Sequence, residues 1–371
     1  MTTVVNVQKV SGISGSEAHL LSVLPLLRER GWDARMLVLH EGEPGAREFV
    51  DAMRARDVPT ETWRMRFDLD PSVPVRLAAR RRPTILHTHL VHADVLGLPA
   101  GALARVPVRI STKHGFNEFR SNPLIAAADR TAARFAHRQI AISHGLARYL
   151  AQTQGFEEDD FTVVHYGIEA GPEPPPPPAS TRLCAVGRLI PIKGFDLLLS
   201  AFAAARAEVP ELTLEIAGAG PLDADLRAAA PEGVTFLGRV APVSEVYERN
   251  AIVVIPSRGE GFGMVALEAA ERGRAAIVSN VGGLPEIVAD GETGVVVPSE
   301  DADALARALV VLTRDPELVR EYGHAARRRA LDQFSASAAA DGVETVYRDL
   351  LHRRSIAAPA SSASTKSNEI R

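Results

Sequence analysis

A single cysteine, Cys184, occurs in 371 residues, so no internal disulfide framework exists and a reducing compartment fits the chain. No apolar run approaches the roughly 18 to 20 residues that cross a bilayer. A secretory leader pattern is equally lacking: Met1–Thr3 passes directly into the strand-like Val4–Val10. These absences lead to the expectation of a cytoplasmic protein. Excess charge is missing too, since a net charge of -4 gives no overall pull toward nucleic acid. The 46% hydrophobic and 24% charged shares are those of an ordinary soluble globular protein. A chain of this length suits two domains of about 150 to 180 residues rather than one.

Strand-like and helix-like segments alternate through both halves, which predicts βαβ units, parallel sheets and an α/β fold. In the first half the segments are Val4–Val10, Glu17–Arg30, Ala34–Leu39, Ala46–Arg56, Thr84–His89, Val108–Ser111 and an Ala-rich helix from Pro123 to Arg138. Pro25 interrupts the first helix, where a lost hydrogen bond and a ring clash cost about 3 kcal/mol, so a kink or early stop is expected. From Arg182 the same rhythm resumes. Between the halves Pro174–Pro178 forms a stiff polyproline spacer. The predicted organisation is therefore a first domain over 1–170, a linker over 171–180 and a second domain over 181–334. A helix over 335–354 and a disordered Ser- and Ala-rich tail over 355–371 complete it. Two open sheets joined by one linker imply a cleft with ligands at the strands' carboxyl ends.

The most informative segment is Glu260-Gly261-Phe262-Gly263, then four residues to Glu268. The apolar run Ile252–Ile255 reads as a buried strand and Val265–Arg272 as a helix, so the glycines occupy a strand-to-helix turn. There, unpaired amides near Gly263 and Met264 and the positive helix end suit an anion. Glu260 and Glu268 are suited to accept hydrogen bonds from hydroxyls on either side of it, as on a nucleotide sugar. A second strand-to-helix passage carries Arg188 and Lys193, which either clamp a diphosphate or are solvated surface charges.

The order GR(x4)KG, AGAGPL, FLGRV, E(x7)E, VGGLPEIV and DGETG, dense from Arg182 to Pro298, resembles the donor half of the retaining glycosyltransferases of family four. The resemblance implies two Rossmann-like domains facing across a cleft, the GT-B architecture, with the C-terminal helix crossing back to the N-terminal domain. It implies that Glu260 contacts the transferred sugar, Glu268 holds the ribose, and Arg188 and Lys193 neutralise the diphosphate. Backbone amides from Phe262 through Gly263 to Met264 would support sugar and phosphate, and Arg239 and Val240 would lie beside the base. Gly15 would close over the donor phosphates, while Glu17 is read as a helix cap. His114, after the strand Val108–Ser111, would stand near the reacting sugar. Two departures from the family pattern are Ser14 before Gly15 and His165-Tyr166-Gly167 in place of the usual PNG. The implied co-substrate is a nucleotide diphosphate sugar, with no cofactor and no metal required. His87, His89 and His92 lack the cysteine or acidic cluster a zinc site needs.

The acceptor is left open among glycolipid, polysaccharide and small natural product, as is oligomeric state. Basic clusters at Arg76, Arg80, Arg81 and Arg82, and at Arg130, Arg134 and Arg138, are either solvated faces or a peripheral contact with anionic lipid at the inner membrane face. Rival activities are a nucleotide-sugar epimerase, a phosphorylase, or a non-catalytic nucleotide-sugar-binding protein.

Overall fold

The structure is a computed structural model that describes residues 1–116 and 122–357. In the N-terminal half, strands β1 (Thr3–Lys9), β2 (Asp33–His40), β3 (Thr60–Arg64), β4 (Ile85–His89), β5 (Val108–Lys113), β6 (Arg138–Ala141) and β7 (Phe161–Val163) form one parallel sheet. Its order is β3-β2-β1-β4-β5-β6-β7. Helices α1 (Gly15–Glu29), α2 (Pro44–Arg54), α3 (Ser72–Ala79), α4 (Leu90–Leu103), α5 (Pro123–Ala133) and α6 (His144–Gln154) connect them. The second sheet runs β10 (Val234–Gly238), β9 (Thr213–Ala217), β8 (Arg182–Val186), β11 (Ile252–Ile255), β12 (Ala275–Ser279) and β13 (Gly294–Val297), also all parallel. Helices α7 (Phe195–Glu208), α8 (Asp223–Ala229), α9 (Ser244–Glu248), α10 (Met264–Glu271), α11 (Leu284–Ile287), α12 (Ala302–Arg314) and α13 (Pro316–Gln333) cover it. The central strands are apolar and buried on both faces, as Ile252–Ile255 illustrates, because helices cover each side.

Strand order reverses between β1 and β4 and again between β8 and β11, so each sheet has a crevice at the carboxyl ends of those strands. Gly15, His89, Arg188, Lys193 and the Glu260 turn all lie at or just beyond the carboxyl ends of these four strands.

Helix α14 (Ala336–Ala357) returns to the N-terminal lobe. Val343, Tyr347 and Leu350 share a core with Leu24, Phe49 and Ile85, and the Tyr347 ring meets Trp32 edge-on at 5.4 Å. The crossing-back expected of the last helix is therefore present.

Three expectations need correction. Helix α1 continues past Pro25 to Glu29, because Leu20, Leu24 and Leu27 on its inner face are fully buried and outweigh one missing backbone bond. The Ala-rich helix stops at Ala133, and Arg138 opens β6, so Arg130, Arg134 and Arg138 do not share one helical face. Helix α14 runs to Ala357, past the expected end at Arg354, and the predicted tail beyond it lies outside the described residues.

Candidate active site

After β8 the chain turns through a short 3-10 segment, Pro191–Lys193, into Gly194 at φ 66°. A Cβ on Gly194 would lie 2.1 Å from the Pro256 carbonyl, so glycine is what lets this turn press against the exit of β11. That contact brings Lys193 to Glu260: Lys193 Nζ donates to Glu260 Oε1 at 2.8 Å and to Oε2 at 2.6 Å. Their side chains are 19% and 13% exposed, so the pair is screened from bulk water without being sealed off. Arg188, at the same strand exit, is exposed, and its guanidinium has no hydrogen-bond or ion-pair partner among the described residues.

Gly263, at φ 114°, precedes α10; the Ala266 and Leu267 amides close on the Gly263 carbonyl, while those of Met264 and Val265 have no intrahelical acceptor. Glu268 lies just over one turn further on. Tyr247 Oη donates to Glu268 Oε2 at 2.7 Å, while burial pushes the Glu268 carboxyl above its usual range. Phe262 differs from its neighbours. Its ring is 2% exposed and packs against Tyr166, His165 and Phe334, so the ring offers no surface to a ligand. Arg239 is exposed after β10, and Val240 packs on the core that holds Tyr247 and Phe262.

The N-terminal lobe meets this turn directly. The Ser143 hydroxyl donates to the Gly261 carbonyl at 2.5 Å. A Cβ on Gly261 would fall 2.7 Å from Gly115 Cα and 3.1 Å from the His114 carbonyl oxygen. Gly15, the first residue of α1, faces Met264 Cγ at 3.4 Å by the same measure. Glu286, on α11, accepts hydrogen bonds from the backbone amides of His144 at 3.1 Å and Gly145 at 2.7 Å. It also accepts from His165 Nε2 at 2.7 Å, so one carboxylate caps α6 across the lobe boundary. Gly15, His114, Lys193, Glu260 and Met264 are thus brought to one crevice.

His114 lies within a directional chain of hydrogen bonds that runs from Tyr166 to the Arg35 carbonyl. Burial holds the Tyr166 phenol protonated, so it donates to His114 Nδ1 at 2.5 Å. His114 Nε2 is 2.9 Å from His89 Nδ1, and His89 Nε2 is 3.1 Å from Asn6 Oδ1. Asn6 Nδ2 donates to the Arg35 carbonyl at 3.3 Å, so its Oδ1 is the acceptor. Burial keeps His89 neutral, which makes Nε2 its donor and Nδ1 an acceptor for His114. Both ring nitrogens of His114 are therefore committed to protein groups, and its main-chain carbonyl faces the Glu260 turn.

His87 is likewise engaged, with Tyr347 Oη and Thr112 Oγ1 each at 2.7 Å. The donor atoms of His144, His165 and Glu286 lie within 4.8 Å of one another and form the metal-competent cluster found among the described residues. The first basic cluster is partly engaged: Arg76 stacks 4.0 Å over the Trp63 ring and Arg80 pairs with Glu61.

Residues 13–171 match the family described as Glycosyltransferase Family 4, and residues 180–315 match Glycosyl transferases group 1. The D-inositol 3-phosphate glycosyltransferase of Rhodococcus jostii is 31% identical over 74% of this chain and 69% of its own length. This chain belongs to glycosyltransferase family 4. The lipopolysaccharide core mannosyltransferase LpcC of Rhizobium leguminosarum bv. viciae is another relative, 28% identical over 80% of this chain and 85% of that one. Among solved structures, Anabaena HepE in complex with UDP-glucose superposes with a TM-score of 0.78 at 20% identity, covering 94% of this chain and all of that one. That likeness establishes the GT-B fold. No helix among the described residues is long and apolar enough to cross a membrane.

For this family 4 chain, sequence reasoning missed Tyr166, Tyr247 and Glu286 as residues that shape the crevice. Only the departure at His165-Tyr166-Gly167 signalled one of them: the aromatic that replaces part of the usual turn supplies the hydroxyl on His114.

Proposed function

We propose that the protein is a retaining glycosyltransferase that moves a hexose or N-acetylhexosamine from a nucleotide diphosphate sugar to an acceptor hydroxyl. The reading rests above all on the Lys193–Glu260 pair, in the turn that leads into the open Met264 and Val265 amides of α10 and is hydrogen-bonded to Ser143 of the N-terminal lobe. HepE, a neighbour in fold, has been solved with UDP, and with UDP-glucose, which supports a nucleotide-sugar donor here.

Lys193 carries three N–H donors, so it can keep one on Glu260 and turn the others toward the diphosphate. Arg188, uncommitted among the described residues, adds the second cation. Together with the α10 amides they stabilise the charge that develops on the departing oxygen. Glu260 then accepts from sugar hydroxyls, and Glu268, fixed by Tyr247, accepts from the ribose. As the bond from the anomeric carbon to the diphosphate oxygen breaks, the acceptor oxygen bonds to that carbon on the same face. The acceptor proton passes to the departing diphosphate oxygen. The protein supplies position and leaving-group electrostatics, and with two cations and helix amides on the diphosphate no divalent metal is required. His114 shapes the wall through its carbonyl, with its ring tautomer fixed by Tyr166 and His89.

The acceptor belongs to cell-envelope glycolipid or polysaccharide synthesis or to natural-product glycoside synthesis, and the protein works in the cytoplasm, peripherally at the inner membrane face. Incubation with a panel of UDP- and GDP-sugars and candidate acceptors, followed by NMR of the product's anomeric proton, tests the reading. A product with the donor's anomeric configuration, formed equally with and without chelator, supports it. Inverted product, sugar epimerised without acceptor, or sugar phosphate formed from a glycoside and phosphate overturns it.

A further inference from the structure

At the amino ends of β5 and β6, on the opposite side of the N-terminal lobe from the crevice, the hydrogen bonds around His137 do not balance. The backbone amide of Arg109 donates to His137 Nδ1 at 2.9 Å, so Nδ1 is bare and Nε2 carries the ring's proton. Burial and the neighbouring Arg109 and Arg354 guanidiniums keep this ring neutral, pushing its pKa down to about 4. Yet Nε2–H faces Arg109 Nη2 at 3.0 Å and also Arg354 Nη2. Both guanidinium nitrogens are donors only. The other tautomer merely moves the conflict, setting Nδ1–H against the Arg109 amide.

Two of the three converging donors are fixed in place. Arg109 donates through Nε to the Phe135 carbonyl at 2.6 Å and through Nη1 to the Val106 carbonyl at 2.8 Å, which leaves Nη2 aimed at the gap. His137 is held by the Arg109 amide and by its own amide, which donates to the Arg109 carbonyl at 2.7 Å. Arg354 closes the group from α14. Beside it lies an open basin of about 660 Å³, lined by Arg130, Arg134, His137 and Arg138 against only two carboxylates, Asp159 and Asp160. Exposed apolar side chains, Leu103 at 79% and Phe135 at 39%, lie near in sequence to the two carbonyls that hold Arg109.

We infer that Arg109, His137 and Arg354 form an anion site for a phosphate group, with the neighbouring basin taking whatever the phosphate carries. One acceptor group with several oxygens satisfies all three donors at once and removes the repulsion between the guanidiniums. Planar guanidinium forks match phosphate geometry. The site is independent of the donor crevice and of the activity proposed for it. Its phosphate comes either from a lipid headgroup or from a soluble phosphate ester.

The test uses the full chain, titrated with inorganic phosphate at matched ionic strength and followed by the His137 ring resonances. Saturable shifts of the His137 Nε2–H signal are expected, with affinity weakened at least about tenfold in Arg354→Gln, the loss of one charge-assisted bond. Sedimentation with phosphatidylglycerol vesicles and with phosphatidylcholine vesicles distinguishes the sources. Retention on the first alone, competed by phosphate and lost in Arg354→Gln, supports the site with lipid as its source. Phosphate binding without vesicle retention supports it with a soluble ester. A His137 signal indifferent to phosphate, or identical phosphate affinity in wild type and Arg354→Gln, overturns the inference.

Discussion

The buried histidines of the N-terminal lobe make its stability fall on mild acidification. His19 is stacked on Tyr166 at 4.5 Å, with its Nδ1 buried and unpaired, and burial pushes its pKa down to about 3. Its protonated form faces His87, His89 and His114 and the phenol of Tyr166, with no carboxylate paired to it among the described residues. In the unfolded chain a histidine titrates near 6.5. The unfolded state therefore binds the extra proton first, and the stability associated with the neutral ring is complete above pH 6.5 and is lost progressively between 6.5 and about 3. At pH 5.5 this ring alone costs about 1.4 kcal/mol. His87 and His89, both held well below the usual range by burial, add in the same direction. Trp32 and Trp63, the chain's two tryptophans, both belong to this lobe, so urea unfolding followed by their fluorescence reports on it. Comparing pH 7.5 with 5.5, wild type should lose more stability than His19→Phe by about 1.4 kcal/mol, the ring stack on Tyr166 being kept. Equal losses in the two proteins would refute the neutral, buried state assigned to His19.

Other expectations follow from the same contacts. Gly282→Ala places a Cβ 1.6 Å from the Glu260 carbonyl at φ 54°, so it should abolish transfer while circular dichroism retains the α/β signature; normal rates would mean the Glu260 turn is not held this way. Tyr247→Phe removes a hydrogen bond that lowers the Glu268 pKa, so donor KM should rise about tenfold and more steeply at pH 6 than at pH 8, with kcat little changed. Glu286→Ala takes from α6 a cap reaching two backbone amides across the lobes and should lower stability by about 1 to 3 kcal/mol in calorimetry. In that glutamate the folded pKa is lowered by His165 and by the two amides, so its contribution is complete above the unfolded glutamate range and fades as pH falls below it.

The two-sheet architecture was legible because strand-like and helix-like runs alternate on both sides of Pro174–Pro178, and that rhythm survives without knowledge of any contact. Strand β3 and helix α4 were not read. Thr60–Arg64 has only Trp63 buried, and Leu90–Leu103 is apolar nearly all round, with Gly97, Pro99 and Gly101 breaking any helical period. Turn glycines located the crevice well, since Gly194 and Gly263 sit where backbone approach and positive φ require them. Tertiary hydrogen bonds were invisible by nature: Tyr166 and His89 lie far apart in sequence from each other, and each reaches His114 only because β4, β5 and β7 end at the same edge of one parallel sheet. The buried ring of Phe262 was hidden for the same reason, as its partners Tyr166 and Phe334 come from distant segments.

In the proposed mechanism Lys193, held on Glu260, grips a diphosphate in the crevice between the lobes. Its contribution can be read by calorimetric titration of UDP and GDP into wild type and Lys193→Ala. At least one of the two nucleotides should bind wild type, with affinity about ten- to a hundredfold weaker in the variant, the contribution of one charged hydrogen bond. Binding unchanged by the loss of Lys193, or no binding of either nucleotide to wild type, would contradict it.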